Sequence, residues 1–277
     1  VPYNPKKFIR LAPEGVNEGD FVFIFGYPGR TYRHQTSHFL AYEEEVRMPW
    51  VADWYAWQIS AMEKMGENDL EVALKHSSRI KGLSNTMKNY RGKLKGMKRL
   101  HLVEKKQNEE KALQDFIRAD GNRKAKYGEI LEKIGKVYEE MRQCADQELL
   151  LNYLRSSVSM VNFGYTAYEA AIELQKPDVE REAAYMDRNF AQTKQRLQLA
   201  LGNYYQPTDK IIFKELLMRA ARLPQARRIE AVVDIAQGKD PGQAIDEFID
   251  DAFSRTRLKD EKAMMDALTK SLQQLKE

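Results

Sequence analysis

The chain has 277 residues, a formal net charge of +4 and 43% hydrophobic residues, a composition typical of a helix-rich folded protein with a sizeable core. No apolar run approaches the roughly 18 residues that a membrane helix needs, so we expect no membrane span. The single cysteine, Cys144, excludes an internal disulfide, and we expect it to be a small buried residue. The four histidines lack metal-ligand spacing, so we predict no metal site and no cofactor.

The first predicted element is a β-hairpin. Residues 19–31 place five apolar residues between a Gly-Asp turn and a Gly-Tyr-Pro-Gly turn, a pattern typical of a buried strand. Residues 33–42 could return as a second extended segment. Two strands cannot bury a sheet face, so the hairpin should belong to a larger sheet whose other strands lie outside this chain. We therefore predict a β segment over residues 1–46 and a helical domain over residues 47–277.

The helical domain opens with three tryptophans. Trp50, Trp54 and Trp57 fall on one helical face, which predicts a core stripe rather than a ligand cage. Residues 69–99 predict one long helix or a broken pair, because three glycines at positions 82, 92 and 96 indicate a kink or a close backbone approach. Further helices are predicted at 102–119, 126–143, 146–175, 178–201, 210–222, 225–237, 241–254 and 260–275. Thr208 or Asp209 can cap the helix that starts at Lys210.

Basic residues are concentrated in one stretch of the helical domain. Between Lys75 and Lys106 the sequence carries eleven lysines and arginines and a single acid, Glu104. Such a face can track phosphates, can be solvated, or can attract acidic peptides. Tyr90 is the only aromatic residue of the base-stacking kind there, so we disfavour nucleic acid as a partner.

Several motifs resemble those of peptidase family S46, the bacterial serine dipeptidyl-peptidases of the seven and eleven types. The resemblance covers nearly the whole chain. Its most specific parts are the run from Gly15 to Arg33, which contains Gly19-Asp20-Phe21 and Gly26-Tyr27-Pro28-Gly29-Arg30-Thr31, and the Asn85-x-x-Lys88-Asn89 motif. Weaker matches are Lys105-x-x-x-Glu109, Pro207-Thr208-Asp209 and the stretch from Asp250 to Asp260.

The resemblance implies a mostly α fold, namely a long-helix regulatory or cap domain with a hairpin from an incomplete trypsin-like double β-barrel. It also implies that the catalytic histidine and aspartate precede this segment and that the serine follows it. Consistent with that, the chain has no Gly-x-Ser-Gly nucleophile elbow, and we assign no catalytic residue in it. We expect the isolated chain to lack hydrolytic activity.

The resemblance further implies a role for four residues in binding substrate. Asn85 would contact the α-ammonium group of the peptide, and Asn89 would help to orient it. From the helical pattern alone, both would be ordinary polar surface residues. Tyr27 and Arg30 are weaker candidates that would shape the cleft.

Three functions are therefore carried forward. The leading one is a segment of a dipeptidyl aminopeptidase that acts on peptides with a free N-terminus. It would work with the missing barrel segments, in the periplasm or at the cell surface, and could form a homodimer. The second is a free-standing helical binding or scaffold protein, and the third is a basic helical nucleic-acid binder.

Overall fold

The computed structural model describes residues 5–23, 25–26, 32 and 34–276, without the side chain of Lys276. The chain divides into two units, residues 1–35 and residues 36–277. In the first unit, two turns are closed by backbone hydrogen bonds from Gly15 to Ala12 and from Asp20 to Asn17. The glycines at 15 and 19 adopt positive φ angles, which glycine tolerates best.

No strand occurs among the described residues, so the predicted β-hairpin is not seen. Phe21, Phe23 and Phe25 alternate as a strand requires, yet they are 89%, 65% and 86% exposed. A strand needs a hydrogen-bonded neighbour, and the described chain offers none to this segment. The predicted return segment is also wrong over residues 37–42, which are helical.

The first helix begins at Ser37, inside the segment 1–46 that the sequence assigned to the β part. Helix α1 (Ser37–Tyr42) runs through a π-helical segment (Glu43–Arg47) into helix α2 (Met48–Gly66). Pro49 lies in the first turn of α2, where a missing backbone N–H is tolerated. The wider π turn before it is a common way to accommodate such an irregularity inside a helix.

Helix α3 (Leu70–Leu100) is a single unbroken helix that follows α2 after a three-residue connection and packs against it. Asp69 caps its start by accepting hydrogen bonds from the backbone N–H groups of Glu71 and Val72. The glycines at 82, 92 and 96 do not end the helix. An added Cβ at any of them would meet no described atom within 4 Å, so the predicted close backbone approach is wrong there.

The remaining helices follow the predicted order with shifted boundaries. They are α4 (Leu102–Arg118), α5 (Gly121–Tyr127), α6 (Ile130–Ser157), α7 (Ser159–Glu173), α8 (Asp187–Gly202), α9 (Gln206–Ala221), α10 (Glu230–Ala236), α11 (Pro241–Arg255), α12 (Glu261–Ala267) and α13 (Leu272–Lys276). The break predicted near residue 145 lies instead at Val158. Most of the predicted helix start at 178–186 consists of two short 3-10 turns.

The main core joins α2 to the C-terminal helices. Trp54, Phe163, Ile212 and Phe253, from α2, α7, α9 and α11, are at most 2% exposed. Trp50 and Trp57 pack against this core, which confirms the tryptophan stripe. Burial of these large side chains is the main stabilising contribution, about 1.5–3 kcal/mol for each. None of the described helices is long and apolar enough to cross a bilayer.

Candidate substrate-binding face on helix α3

Asn85 and Asn89 both lie on the solvent-facing side of α3. They are four residues apart, which puts them on one face, and both side chains are exposed. The opposite side of the helix, with Val72, His76 and Met97, is buried. Within the part of the chain that the structure describes, neither carboxamide has a hydrogen-bond partner. Both are therefore available to a ligand.

The surroundings of Asn85 are cationic. Lys81 precedes it by four residues and Lys88 follows it by three, so both lie next to it on the helix surface. No acidic residue occurs between Val72 and Val103. A carboxamide oxygen can accept a hydrogen bond from an ammonium group, but here that group would also meet positive charge. A stable ammonium site at Asn85 thus needs a carboxylate that these residues do not supply.

The buried side of α3 is held by Arg79. One terminal nitrogen of its guanidinium group donates to Gln58 Oε1 at 2.7 Å, on α2, and to the carbonyl oxygen of Ser157 at 2.5 Å, at the end of α6. Burial lowers the pKa of Arg79, and the nearby Asp209 carboxylate opposes that shift. Arg79 therefore joins three helices at a point less than two turns from Asn85.

The junction of α6 and α7 lies directly beneath this arginine. Asp209, which we predicted to cap its own helix, instead lies inside α9 and caps α7. Its carboxylate accepts the backbone N–H groups of Ser159 at 2.6 Å and Met160 at 2.9 Å. Burial raises the pKa of Asp209, while those two hydrogen bonds and Arg79 oppose the rise. A partner about 50 residues away in the chain thus fixes the break at Val158.

Further polar contacts hold α3 on the N-terminal and C-terminal sides of Arg79. His76 is hydrogen-bonded to Thr208 Oγ1 at 2.9 Å and packs edge-to-face against Tyr205. Burial lowers the pKa of His76, with smaller contributions from Arg79 and Lys75. Further along α3, Arg47 donates to the Tyr90 hydroxyl at 3.1 Å and pairs with Glu43. The contacts of His76, Arg79 and Tyr90 therefore fix the helix whose exposed face carries Asn85.

The other residues considered in the sequence lie away from α3 or outside the described part of the chain. Tyr27 and Arg30 lie outside the described residues. Cys144 is half-buried, with its thiol near the carbonyl oxygens of the preceding helical turn. His38, predicted in a strand, belongs to α1, and its ring lies against Gly135, where an added Cβ would come within 3.0 Å.

Comparison with known proteins identifies the family. The family model described as Peptidase S46 matches residues 1–277. The Asp/Glu-specific dipeptidyl-peptidase of Shewanella putrefaciens is 29% identical over 272 residues, which cover 97% of this chain and 36% of that protein. Dipeptidyl-peptidase 7 of Capnocytophaga gingivalis is 30% identical over 158 residues, covering 57% of this chain and 22% of that protein. The Asp/Glu-specific dipeptidyl-peptidase of Flavobacterium psychrophilum is 25% identical over 228 residues, which cover 81% of this chain and 31% of that protein.

The chain spans at most about a third of the length of these relatives. The match nevertheless extends over the whole chain, including the residues before Ser37 and the helical unit. The chain belongs to peptidase family S46.

Proposed function

We propose that this chain is the central segment of a serine dipeptidyl aminopeptidase that removes dipeptides from the N-termini of oligopeptides. The residues before Ser37 would contribute to a trypsin-like barrel, and the helices that follow, including all of residues 47–277, would cap the cleft. The observation that carries the proposal is the family membership of the whole chain. One name among its relatives specifies Asp or Glu and the other specifies no residue, so release of dipeptides is the activity that both names share.

The helical cap would set the length of the product. If the substrate's amino terminus is held at Asn85, only two residues fit between that point and the nucleophile, and a dipeptide leaves. The exposed, unpartnered carboxamide on the rigidly supported helix α3 is consistent with this role. Asn89, one turn further on, would orient Asn85 or accept a second hydrogen bond from the same ammonium group.

The acyl-transfer chemistry would be supplied from outside this segment. It needs an activated serine, a base and backbone donors for the oxyanion. A carboxylate from the same outside region would complete the amine site, because the cations beside Asn85 disfavour an ammonium group there. By resemblance to the family, we place the enzyme in the periplasm or at the cell surface, and propose a homodimer.

The decisive experiment is Asn85→Ala in the complete enzyme. Removing a hydrogen bond to a charged group costs about 1.5–3 kcal/mol, which predicts a loss of about 10- to 150-fold in kcat/KM for peptides with a free amine. Asn108→Ala is the matched control, because Asn108 is an exposed carboxamide on α4. Equal kcat/KM for the Asn85 and Asn108 variants would remove Asn85 from the site.

A further inference from the structure

The exposed side of α3 carries cations that no acid compensates. Lys81, Lys88, Lys95 and Arg99 recur at helical spacing on the same side as Asn85, and all four are exposed. We call these four residues the α3 cationic face. Among the described residues, none of the four has an acidic partner within 4 Å.

Several exposed lysines elsewhere in this chain are paired with an acid. Lys133 and Lys136 on α6 pair with Glu129 and Glu132 at 2.9 and 2.7 Å. Lys239 before α11 pairs with Glu247 at 2.9 Å. The cationic face departs from these paired positions, because no acid among the described residues accompanies its four cations.

This departure destabilises α3 on its own. Lys95 and Arg99 are four residues apart, and like charges at that spacing repel each other. Arg91 and Lys95 repeat the same unfavourable pair. A ligand with negative charges would relieve this repulsion, which gives binding a clear electrostatic driving force.

We infer that the α3 cationic face binds the acidic side chains of a peptide, with Lys95 and Arg99 contacting residues beyond the dipeptide that is released. The identity of the ligand as a peptide rests on the proposed function. Lys95 and Arg99 lie ten and fourteen residues beyond Asn85, which is about 15 and 21 Å along the helix axis. An extended peptide held at Asn85 covers those distances in about four to six residues. Acidic side chains four to six residues along the peptide would therefore contact Lys95 and Arg99.

Nucleic acid is the less suitable polyanion. Binding of single strands relies on exposed aromatic rings that stack on bases. The only tyrosine of α3 is Tyr90, whose hydroxyl is held by Arg47 and whose ring lies beneath the guanidinium group of Arg47. The lysines at 81, 88 and 95 are spaced by seven residues, or about 10.5 Å, which matches every third residue of an extended peptide.

The test measures binding of the 277-residue chain to an N-acetylated peptide with glutamate at every third position. Acetylation removes the ammonium group, so the result does not depend on the amine site at Asn85. The probe is labelled at its C-terminus and followed by fluorescence anisotropy, in low salt and at about 150 mM NaCl. The same peptide with glutamine replacing glutamate is the reference ligand.

The variant combines Lys88→Gln, Lys95→Gln and Arg99→Gln. Its control combines Lys133→Gln, Lys136→Gln and Lys239→Gln, which removes the same net charge from paired positions. Each exposed ion pair between the face and a glutamate contributes a fraction of a kcal/mol. Loss of three such pairs should weaken binding of the glutamate peptide to the first variant about 10-fold in low salt. The control should keep wild-type affinity, and a cooperative thermal unfolding transition in both variants shows that they are folded.

Three results would overturn the inference. One is equal affinity for the glutamate and glutamine peptides. Another is an equal loss of affinity in the two triple variants, which would reflect net charge alone. The last is tighter binding of an oligothymidylate than of the glutamate peptide, with the same dependence on Lys88, Lys95 and Arg99, which would assign the face to nucleic acid.

Discussion

Replacement of Asp209 by alanine should loosen the point where α3, α6, α7 and α9 meet. The substitution removes the acceptor of two backbone N–H groups, those of Ser159 and Met160. Loss of a helix cap costs about 0.5–2 kcal/mol, and a buried polar group left without a partner costs about 1–3 kcal/mol. Arg79 also loses the nearest negative charge that supports its buried guanidinium group. We expect the free energy of unfolding to fall by about 3 kcal/mol.

Chemical denaturation measures that change directly, and a fall in Tm of about 6–12 °C should accompany it. Asp240→Ala is the matched control. Asp240 also caps a helix, by accepting the N–H of Gln243 at 3.0 Å, but it is exposed. We expect a loss of about 1 kcal/mol there, because water can replace the missing acceptor. A loss at Asp209 no larger than that at Asp240 would refute a special role for the buried cap.

Two further predictions concern the isolated chain. Burial lowers the pKa of His76 below 6.5, so its contribution to stability is present above that pH and is lost as the pH falls through the folded-state pKa. In denaturation at several pH values, His76→Gln should weaken the fall in stability below pH 6.5 by up to about 1.4 kcal/mol per pH unit, and an unchanged slope would contradict this. The chain should also fail to cleave dipeptidyl reporter substrates; turnover by pure protein would place a nucleophile within it.

The sequence was most informative where the local signal and the tertiary environment agree. Helix α3 could be predicted because Asp69 supplies a cap and the helical pattern continues for about thirty residues, although three glycines left a division into two helices open. Trp50, Trp54 and Trp57 could be predicted as core because a helical period places them together. These features need no distant partner to be recognised.

Other features depend on residues far apart in the chain. The break at Val158 is fixed by Asp209 and Arg79, and the serines around position 158 are only a weak local signal of it. The predicted hairpin had the composition of a strand, but a strand exists only with a neighbour that completes its hydrogen bonds. The motif around Asn85 could be recognised by resemblance, whereas the contacts of His76, Arg79 and Tyr90 that support it could not.

The charge around Asn85 limits what this segment can do alone. An ammonium group bound there would lie beside Lys81 and Lys88, and the described residues place no carboxylate on this face of α3. We therefore propose that selection for a free amine comes from an acidic group outside the segment, while Asn85 supplies the acceptor. A glutamate-containing peptide with a free amine should bind the 277-residue chain no more tightly than its N-acetylated form, whereas the complete enzyme should prefer the free amine. Anisotropy competition between the two peptides measures the ratio for each protein. A tenfold preference of the chain alone for the free amine would mean that it carries its own counter-charge, and the electrostatic reasoning for this face would be wrong.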